Sequence, residues 1–152
     1  MDETGFRIGC LGGHVVITHI STRVVYLADS DVRDWVTAIE TISASGKTIP
    51  VMLILSSSIM QQKHFENDLD DNTVFGITHS GYSNAMIGVE YIKHFDKMTA
   101  KLTVGKYRML VFDGAGSRVS DEFTWYCWQY DIVPFRLPVH NTSLQPLDAG
   151  VF

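Results

Sequence analysis

Two apolar runs on either side of a polar turn form the clearest pattern in the chain. Trp35–Ile42 and Ile49–Leu55 are rich in β-branched and aliphatic side chains, and the five residues of Ser43–Lys47 between them include Gly46. Extended runs around a short glycine-containing turn are typical of a β-hairpin. The pattern therefore predicts an antiparallel hairpin that turns at Gly46.

Other extended and irregular segments flank this hairpin. Phe6–Ile8 is short and can pair in the same sheet, and His14–Ile20 and Val24–Leu27 also have an extended pattern. Ser56–Tyr82 is irregular and rich in Ser, Asn, Asp and Gly. Segments of that composition are typical of loops, and the length suggests an insertion, so we expect a long loop here that holds one short helix.

A helix is predicted from Asn84 to about Ala100. Asn84 is a favourable residue for capping the amino end of a helix. After it, buried positions recur at helical spacing along one face. That predicted face consists of Gly88, Tyr91, Ile92, Phe95 and Thr99.

A strand, a helix and a second strand follow in the last third of the chain. Arg108–Phe112 has the apolar character of a strand buried on both faces. Ser120 can cap the next helix, and Asp131–Phe135 is a second apolar run. This order predicts two parallel strands joined by a crossover helix. The buried stripe of that helix is predicted to be Phe123, Tyr126, Cys127 and Tyr130.

Composition and charge narrow the class of protein. The 152 residues, 45% hydrophobic and 19% charged, suit one folded α/β domain that spans residues 1–152. A net charge of −5 predicts weak intrinsic affinity for DNA. No apolar run is long enough to cross a bilayer, and Asp2 and Glu3 near the start are unlike a secretion signal. We therefore expect an intracellular protein without a membrane span.

The cysteines, histidines and glycines indicate neither a zinc site nor a nucleotide site. Cys10 and Cys127 are far apart, and the six histidines lack the spacing of zinc ligands. Gly114–Ser117 is rich in glycine but lacks the lysine of a phosphate-binding loop. These glycines are better explained by a tight turn between a strand and a helix.

Three acidic positions are candidates for chemistry. Asp113 follows a buried strand and precedes Gly114, and ligands gather beyond the carboxyl ends of parallel strands. The same position is equally typical of an ordinary turn. Asp2 lies near the chain start, and Asp148 follows a turn that contains a proline. Taken alone, each of these two is typical of a solvated acid.

Three sequence blocks favour a chemical role for these three acids over an ordinary turn or a solvated surface position. Asp2–Phe6, Val111–Ser117 and Leu144–Phe152 together resemble the signature blocks of DDE superfamily endonucleases, and more narrowly those of pogo-like transposases of the mariner group. The resemblance covers essentially the whole chain. It implies a ribonuclease-H-like fold, in which an antiparallel hairpin and then parallel crossover strands form a mixed sheet flanked by helices.

The resemblance also implies a catalytic site. It assigns Asp2, Asp113 and Asp148 as the catalytic residues and as the ligands of two Mg²⁺ or Mn²⁺ ions. Such ions, about 4 Å apart, can clamp the attacking and leaving oxygens of a phosphodiester. Without metal, neighbouring carboxylates repel one another, so we expect raised pKa values. The implied activity is cleavage and transfer of DNA strands at transposon ends, in the nucleus.

Departures from the family pattern leave two functions open. Most of the first strand, and the helix-turn-helix DNA-binding region that relatives carry upstream, are expected to be absent from residues 1–152. The stretch between His140 and Gln145 is one residue short, which can displace Asp148. The chain is therefore predicted to be either a metal-dependent endonuclease and transposase, or a catalytically inactive relic or domesticated module that binds nucleic acid or protein.

Four further side chains are secondary candidates. Glu3 can act as a helper carboxylate or be structural, and His140 can approach DNA or be an ordinary loop residue. Trp125 and Trp128 can stack on bases, but their helical spacing favours a place in the core or in an interface.

Overall fold

A computed structural model describes residues 1–8, 34–66, 68–113, 119–138 and 145–150. The strands predicted at His14–Ile20 and Val24–Leu27 lie outside these ranges, as do Gly114–Ser117 and His140. The described residues form a mixed α/β fold with one four-stranded sheet, one two-stranded sheet and three α-helices. None of the described helices is both long and apolar enough to cross a bilayer.

The four-stranded sheet has the order β1-β2-β3-β4. Its first three strands are β1 (Asp2–Ile8), β2 (Asp34–Glu40) and β3 (Met52–Ser56). The β1–β2 and β2–β3 pairs are antiparallel, and Asp2 lies opposite Glu40. Gly46 turns the β2–β3 hairpin with a φ of 79°, which confirms the predicted hairpin.

The fourth strand, β4 (Val74–Thr78), is parallel to β3. The interpretation of Ser56–Tyr82 as a long loop was therefore wrong, although its predicted short helix is present as a 3-10 helix at Gln62–Phe65. Gly76 interrupts the apolar pattern of β4 for a packing reason. A Cβ there would lie 2.7 Å from Cδ1 of Ile87, so the Ile87 side chain packs into the space that a larger residue would fill.

Helix α1 (Ala85–Thr99) packs on one face of this sheet. The Asn84 side chain accepts a hydrogen bond from the Ile87 N–H at 3.0 Å, which confirms the predicted cap. The buried face of α1 meets apolar side chains of β2 and β3 and forms the core with them. The main residues of this contact are Ile39, Met52, Ile54, Ile87, Tyr91, Ile92 and Phe95.

The second sheet consists of β5 (Arg108–Phe112) and β6 (Ile132–Arg136), which are parallel and joined through α2 (Asp121–Gln129). This confirms the predicted order of strand, helix and strand. The expectation that β5 is buried on both faces was wrong. Leu110 lies in the core, whereas Met109 on the opposite face is 62% exposed.

Helix α2 buries a narrower stripe than predicted. Phe123 and Cys127 face the core, but Tyr130 lies at the surface. Trp125 and Trp128 are 61% and 72% exposed, so a place in the core was wrong for both. A position two residues from Phe123 is rotated by about 200° around the helix axis, and it therefore points away from the core.

A backbone hydrogen bond connects the residue before β1 with β5. The Met1 ammonium donates a hydrogen bond to the Val111 carbonyl oxygen at 2.9 Å. The first acid of the chain therefore lies beside the carboxyl end of β5. A short helix, α3 (Pro146–Gly150), lies against the same region, because Gln145 just before it contacts Asp2.

Candidate active site

Asp2, the first residue of β1, is buried, with 6% of its surface exposed. Successive side chains of a strand point to opposite faces, so Asp2 and Glu3 lie on different sides of the sheet. Glu3 accepts a hydrogen bond from the Ser83 hydroxyl at 2.9 Å, next to the start of α1. Asp2 therefore points to the face opposite α1, which does not favour Glu3 as a helper carboxylate beside it.

Three groups contact the Asp2 carboxyl. The backbone N–H of Glu3 and the side-chain amide of Gln145 donate hydrogen bonds to it, and the Asp148 carboxyl shares a hydrogen bond with it. Two carboxyl groups can share a hydrogen bond only when one of them carries a proton. At neutral pH, a bound cation can take the place of that proton.

Burial raises the pKa of the Asp2 carboxyl above its ordinary value, and the negative charge of Asp148 raises this pKa further. The hydrogen bonds from Glu3 and Gln145 act in the opposite direction, because they stabilise the charged form. The net direction is upward, as expected for Asp2, and burial is its main cause while the neighbouring carboxylate adds to it.

Two buried neighbours hold Asp148 in place. Gln145 and Leu147 are each 3% exposed, whereas Asp148 itself is on the exposed side of α3. The buried pair anchors the beginning of α3, and the carboxyl of Asp148 is left at the surface beside Asp2. The structure thus brings together two acids that are 146 positions apart in the sequence.

Asp113 directly follows β5 and is half-buried. The Met1–Val111 hydrogen bond brings the start of β1 to the same end of β5, two residues before Asp113. Among the described residues, however, no group of three His, Cys, Asp or Glu side chains is close enough together to hold a metal ion. The structure joins Asp2 with Asp148 and leaves Asp113 as the neighbouring acid.

Gln145 is the site residue that the sequence did not single out. Its amide donates to the Asp2 carboxyl, and its side chain is among the most buried polar groups described. The available signal was its position, three residues before Asp148 in the last block. A buried amide needs partners, but nothing in the residue type shows that this partner is Asp2.

The fold and the acid pair define an α/β domain with a carboxylate site at the edge of a sheet. Residues 32–152 match the DDE superfamily endonuclease family, and the chain belongs to that family. The chain is also 31% identical to the MFS-type transporter clz9 of Cochliobolus lunatus over 153 residues. That alignment covers 99% of this chain and 17% of the fungal protein. No solved structure matches the chain.

Proposed function

We propose that this chain is a transposase-derived domain that cleaves and transfers DNA strands with divalent metal ions, using Asp2, Asp113 and Asp148. The observation that carries the proposal is the contact between Asp2 and Asp148. Two of the three family blocks supply these acids, and the contact forms although they lie at opposite ends of the chain. An ordinary pair of surface acids would avoid such a contact, because burial and like charge both oppose it.

The proposed fold is ribonuclease-H-like, with both sheets in one continuous order, β4-β3-β2-β1-β5-β6. The Met1–Val111 hydrogen bond supports this order. If β1 runs parallel to β5, this bond pairs Met1 with Phe112, and the next pair is Asp2 with Asp113. Paired residues of neighbouring strands point to the same face and are about 5 Å apart. This register supports Asp113 as the third acid.

The donor set fits a hard divalent cation. Mg²⁺ and Mn²⁺ prefer carboxylate oxygens, and the Asp2–Asp148 pair offers them. When bound, two such ions would activate a water molecule or a 3′-hydroxyl and stabilise the leaving oxygen. Asp2 and Asp148 would hold metal, Asp113 would complete the set, and the Gln145 amide would fix the orientation of Asp2.

DNA is the proposed substrate, and the nucleus is the proposed location. With a net charge of −5, the domain has too little positive charge for tight binding by electrostatics alone. The proposed role of the domain is therefore catalysis on DNA that other basic regions or partners hold. The chain spans 17% of the length of the fungal relative. The activity, substrate and partners of a whole protein that contains this domain are therefore proposed here together with those of the domain.

A second candidate is a non-catalytic module that keeps the fold and binds nucleic acid or protein. One observation favours it: three acids do not form a ready metal site among the described residues. The two candidates differ in turnover, since the module requires binding alone.

The deciding experiment is nicking of supercoiled plasmid by the purified chain at low salt, with Mg²⁺, with Mn²⁺ or with chelator. We expect metal-dependent conversion to nicked circles that is lost in Asp113→Asn and Asp148→Asn. Asp71→Asn, an exposed acid in a turn far along the chain from all three blocks, is the charge-matched control and should retain activity. Nicking no greater than that of Asp113→Asn would reject the catalytic proposal. Retained DNA binding without nicking would support the module.

A further inference from the structure

Helix α2 presents an exposed side that is both acidic and aromatic. One side of this helix packs into the core, and the opposite side consists of Asp121, Glu122, Trp125 and Trp128, all of which are exposed. We call these four residues the α2 outer face. Residues three or four apart in a helix are neighbours on its surface, with about 5–6 Å between their Cβ atoms. The two acids therefore lie one turn before Trp125, and Trp128 lies one turn after it.

Packing within the described part of the chain does not account for the two tryptophans. Trp125 is 61% exposed and Trp128 is 72% exposed, so the two side chains together leave on the order of 300 Å² of aromatic surface in water. A contiguous exposed patch of that size often marks an interaction site, and tryptophan is among the residues that contribute most to binding energy at interfaces. The α2 outer face therefore has the character of a binding surface.

The charge of the α2 outer face is negative. Helix α2 contains two acids and no lysine, arginine or histidine. The positive amino end of the helix offsets about half an elementary charge, which leaves the surface around Asp121 and Glu122 negative. Neither acid forms an ion pair with another described residue, and Lys93 of α1, a basic side chain on which the charge of Glu122 acts, is itself paired with Glu90 at 2.8 Å. Charge therefore favours a partner that brings positive groups to this face.

We propose that the α2 outer face binds a cationic polypeptide segment of a partner protein, with arginine side chains on the two indole rings and opposite the two carboxylates. The guanidinium group of arginine is planar, stacks on aromatic faces and forms paired hydrogen bonds with carboxylates. One type of side chain thus matches both components of the surface. Aliphatic side chains of the same segment would cover the rest of the indole surface.

Charge disfavours two other occupants of the α2 outer face. The phosphates of DNA would meet Asp121 and Glu122 with no basic side chain on the helix to offset them, so stacking of bases on Trp125 and Trp128 is opposed. A second copy of the chain would bring the same acidic face and a net charge of −5, and like charges placed opposite each other weaken a complex. A cationic segment is attracted by both the local charge and the net charge.

A bound cationic segment would also bring positive charge to a domain that is proposed to act on DNA. Only this link rests on the proposed function. Binding of the segment itself requires neither metal nor any of the three proposed catalytic acids, so this inference and the proposed function can fail separately.

The test titrates the full chain at low salt with an acetylated peptide of four Arg-Leu-Ala-Ala repeats. This peptide contains no aromatic residue, so a change in tryptophan fluorescence reports contact with the indoles of the protein, and a fluorescein-labelled copy gives the affinity by anisotropy. We expect saturable binding, and binding at least about tenfold weaker for the peptide with glutamate in place of arginine. The peptide with lysine should bind more weakly than the arginine peptide, because lysine lacks the planar group that stacks on an indole.

Matched aromatic variants locate the binding on the two indoles. Trp125→Ala and Trp128→Ala should each weaken binding of the arginine peptide at least about tenfold. Phe65→Ala removes an aromatic side chain that is 58% exposed on the 3-10 helix and should leave the affinity unchanged. Because both tryptophans are exposed, their replacement should alter the melting temperature by less than about 2 °C, so loss of folding does not imitate loss of binding. Absence of saturable binding to the wild type, or equal weakening by Phe65→Ala, would overturn the proposal.

A second pair of variants tests the contribution of charge. Asp121→Asn combined with Glu122→Gln should weaken binding of the arginine peptide at least about tenfold. Asp68→Asn combined with Asp71→Asn, which removes two exposed acids elsewhere, should weaken it far less. Equal effects of the two double variants would show that binding follows net charge alone and would overturn the proposal, as would binding of oligothymidylate that is lost in Trp128→Ala.

Discussion

Replacing Asp148 with asparagine should stabilise the protein when no metal is present. In the wild-type chain the buried Asp2 carboxyl lies against the Asp148 carboxyl, and this contact raises the pKa of Asp2. The substitution keeps the shape and replaces the carboxyl with an amide that can donate a hydrogen bond to Asp2, and it removes one of the two like charges. The free energy of unfolding at neutral pH should therefore increase.

The magnitude follows from the repulsion that is removed. Two unit charges 4 Å apart interact with about 1 kcal/mol in water and about 4 kcal/mol at an effective dielectric constant of 20. Asp148 lies on the exposed side of α3, so solvent screening places the gain near the lower value. A gain of about 1 kcal/mol corresponds to a rise of about 2–4 °C in melting temperature for a domain of this size.

The gain should depend on pH with a definite sign. Because the pKa of Asp2 is raised in the folded state, that state binds its proton more tightly than the unfolded state. The wild-type chain therefore loses stability as pH rises from the unfolded pKa, about 3.9, through the folded pKa. The stabilisation by Asp148→Asn should be full above this window and should vanish below it.

Bound metal should reverse the order of stability of the wild type and Asp148→Asn. A cation that binds only the folded wild type adds about 2.7 kcal/mol of stability at a concentration 100 times its dissociation constant, whereas Asp148→Asn should lose most of this effect. Thermal unfolding from pH 3.5 to 8, with chelator and with Mn²⁺, measures both effects, and Asp71→Asn controls for net charge. A destabilised Asp148→Asn in chelator, or equal stabilisation of both proteins by Mn²⁺, would refute the reasoning.

Two further predictions concern the interior. Arg108→Leu should lower the free energy of unfolding in a urea titration by about 3–5 kcal/mol, because it removes the cationic partner, 2.6 Å away, of the largely buried Asp96. Lys106→Ala removes an exposed ion pair at 3.9 Å and should lower the free energy of unfolding by less than about 1 kcal/mol in the same titration. Burial raises the pKa of Cys127 to about 11, so iodoacetamide at pH 8 should alkylate it only after unfolding, as measured by peptide mass spectrometry that separates it from Cys10. A small effect of Arg108→Leu, or rapid alkylation of native Cys127, would contradict these assignments.

The parts of the fold that the sequence predicted correctly are those that local chemistry determines. The β2–β3 hairpin depends on a turn at Gly46, and the caps at Asn84 and Ser120 satisfy free backbone N–H groups within three residues. These signals lie close together in the chain. They therefore predict the elements without knowledge of what packs against them.

The wrong predictions concern strands and buried faces that depend on contacts with other elements of the fold. Gly76 weakens the strand pattern of β4, and the Ile87 side chain of α1 packs into the space beside it; the residue types alone do not show that these two positions meet. Met109 is exposed although it belongs to an apolar run, since the residues of β5 that join the core, Leu110 and Phe112, lie on its other face. Trp128 follows a helical spacing, but that spacing alone does not show which face of α2 meets the core.

Assigning the Asp2–Asp148 pair requires both the sequence blocks and the contacts between distant residues. Residue type alone did not distinguish Asp2 or Asp148 from solvated acids, and the three family blocks supplied the assignment. The structure adds the physical reason that Asp148 reaches Asp2: Gln145 and Leu147 are buried on either side of the start of α3 and fix its position. A connection one residue shorter than in relatives, as the resemblance implies before Gln145, would change the loop entropy only slightly. The two anchors lie after that stretch, and the contact between Asp2 and Asp148 is present in the chain as it stands.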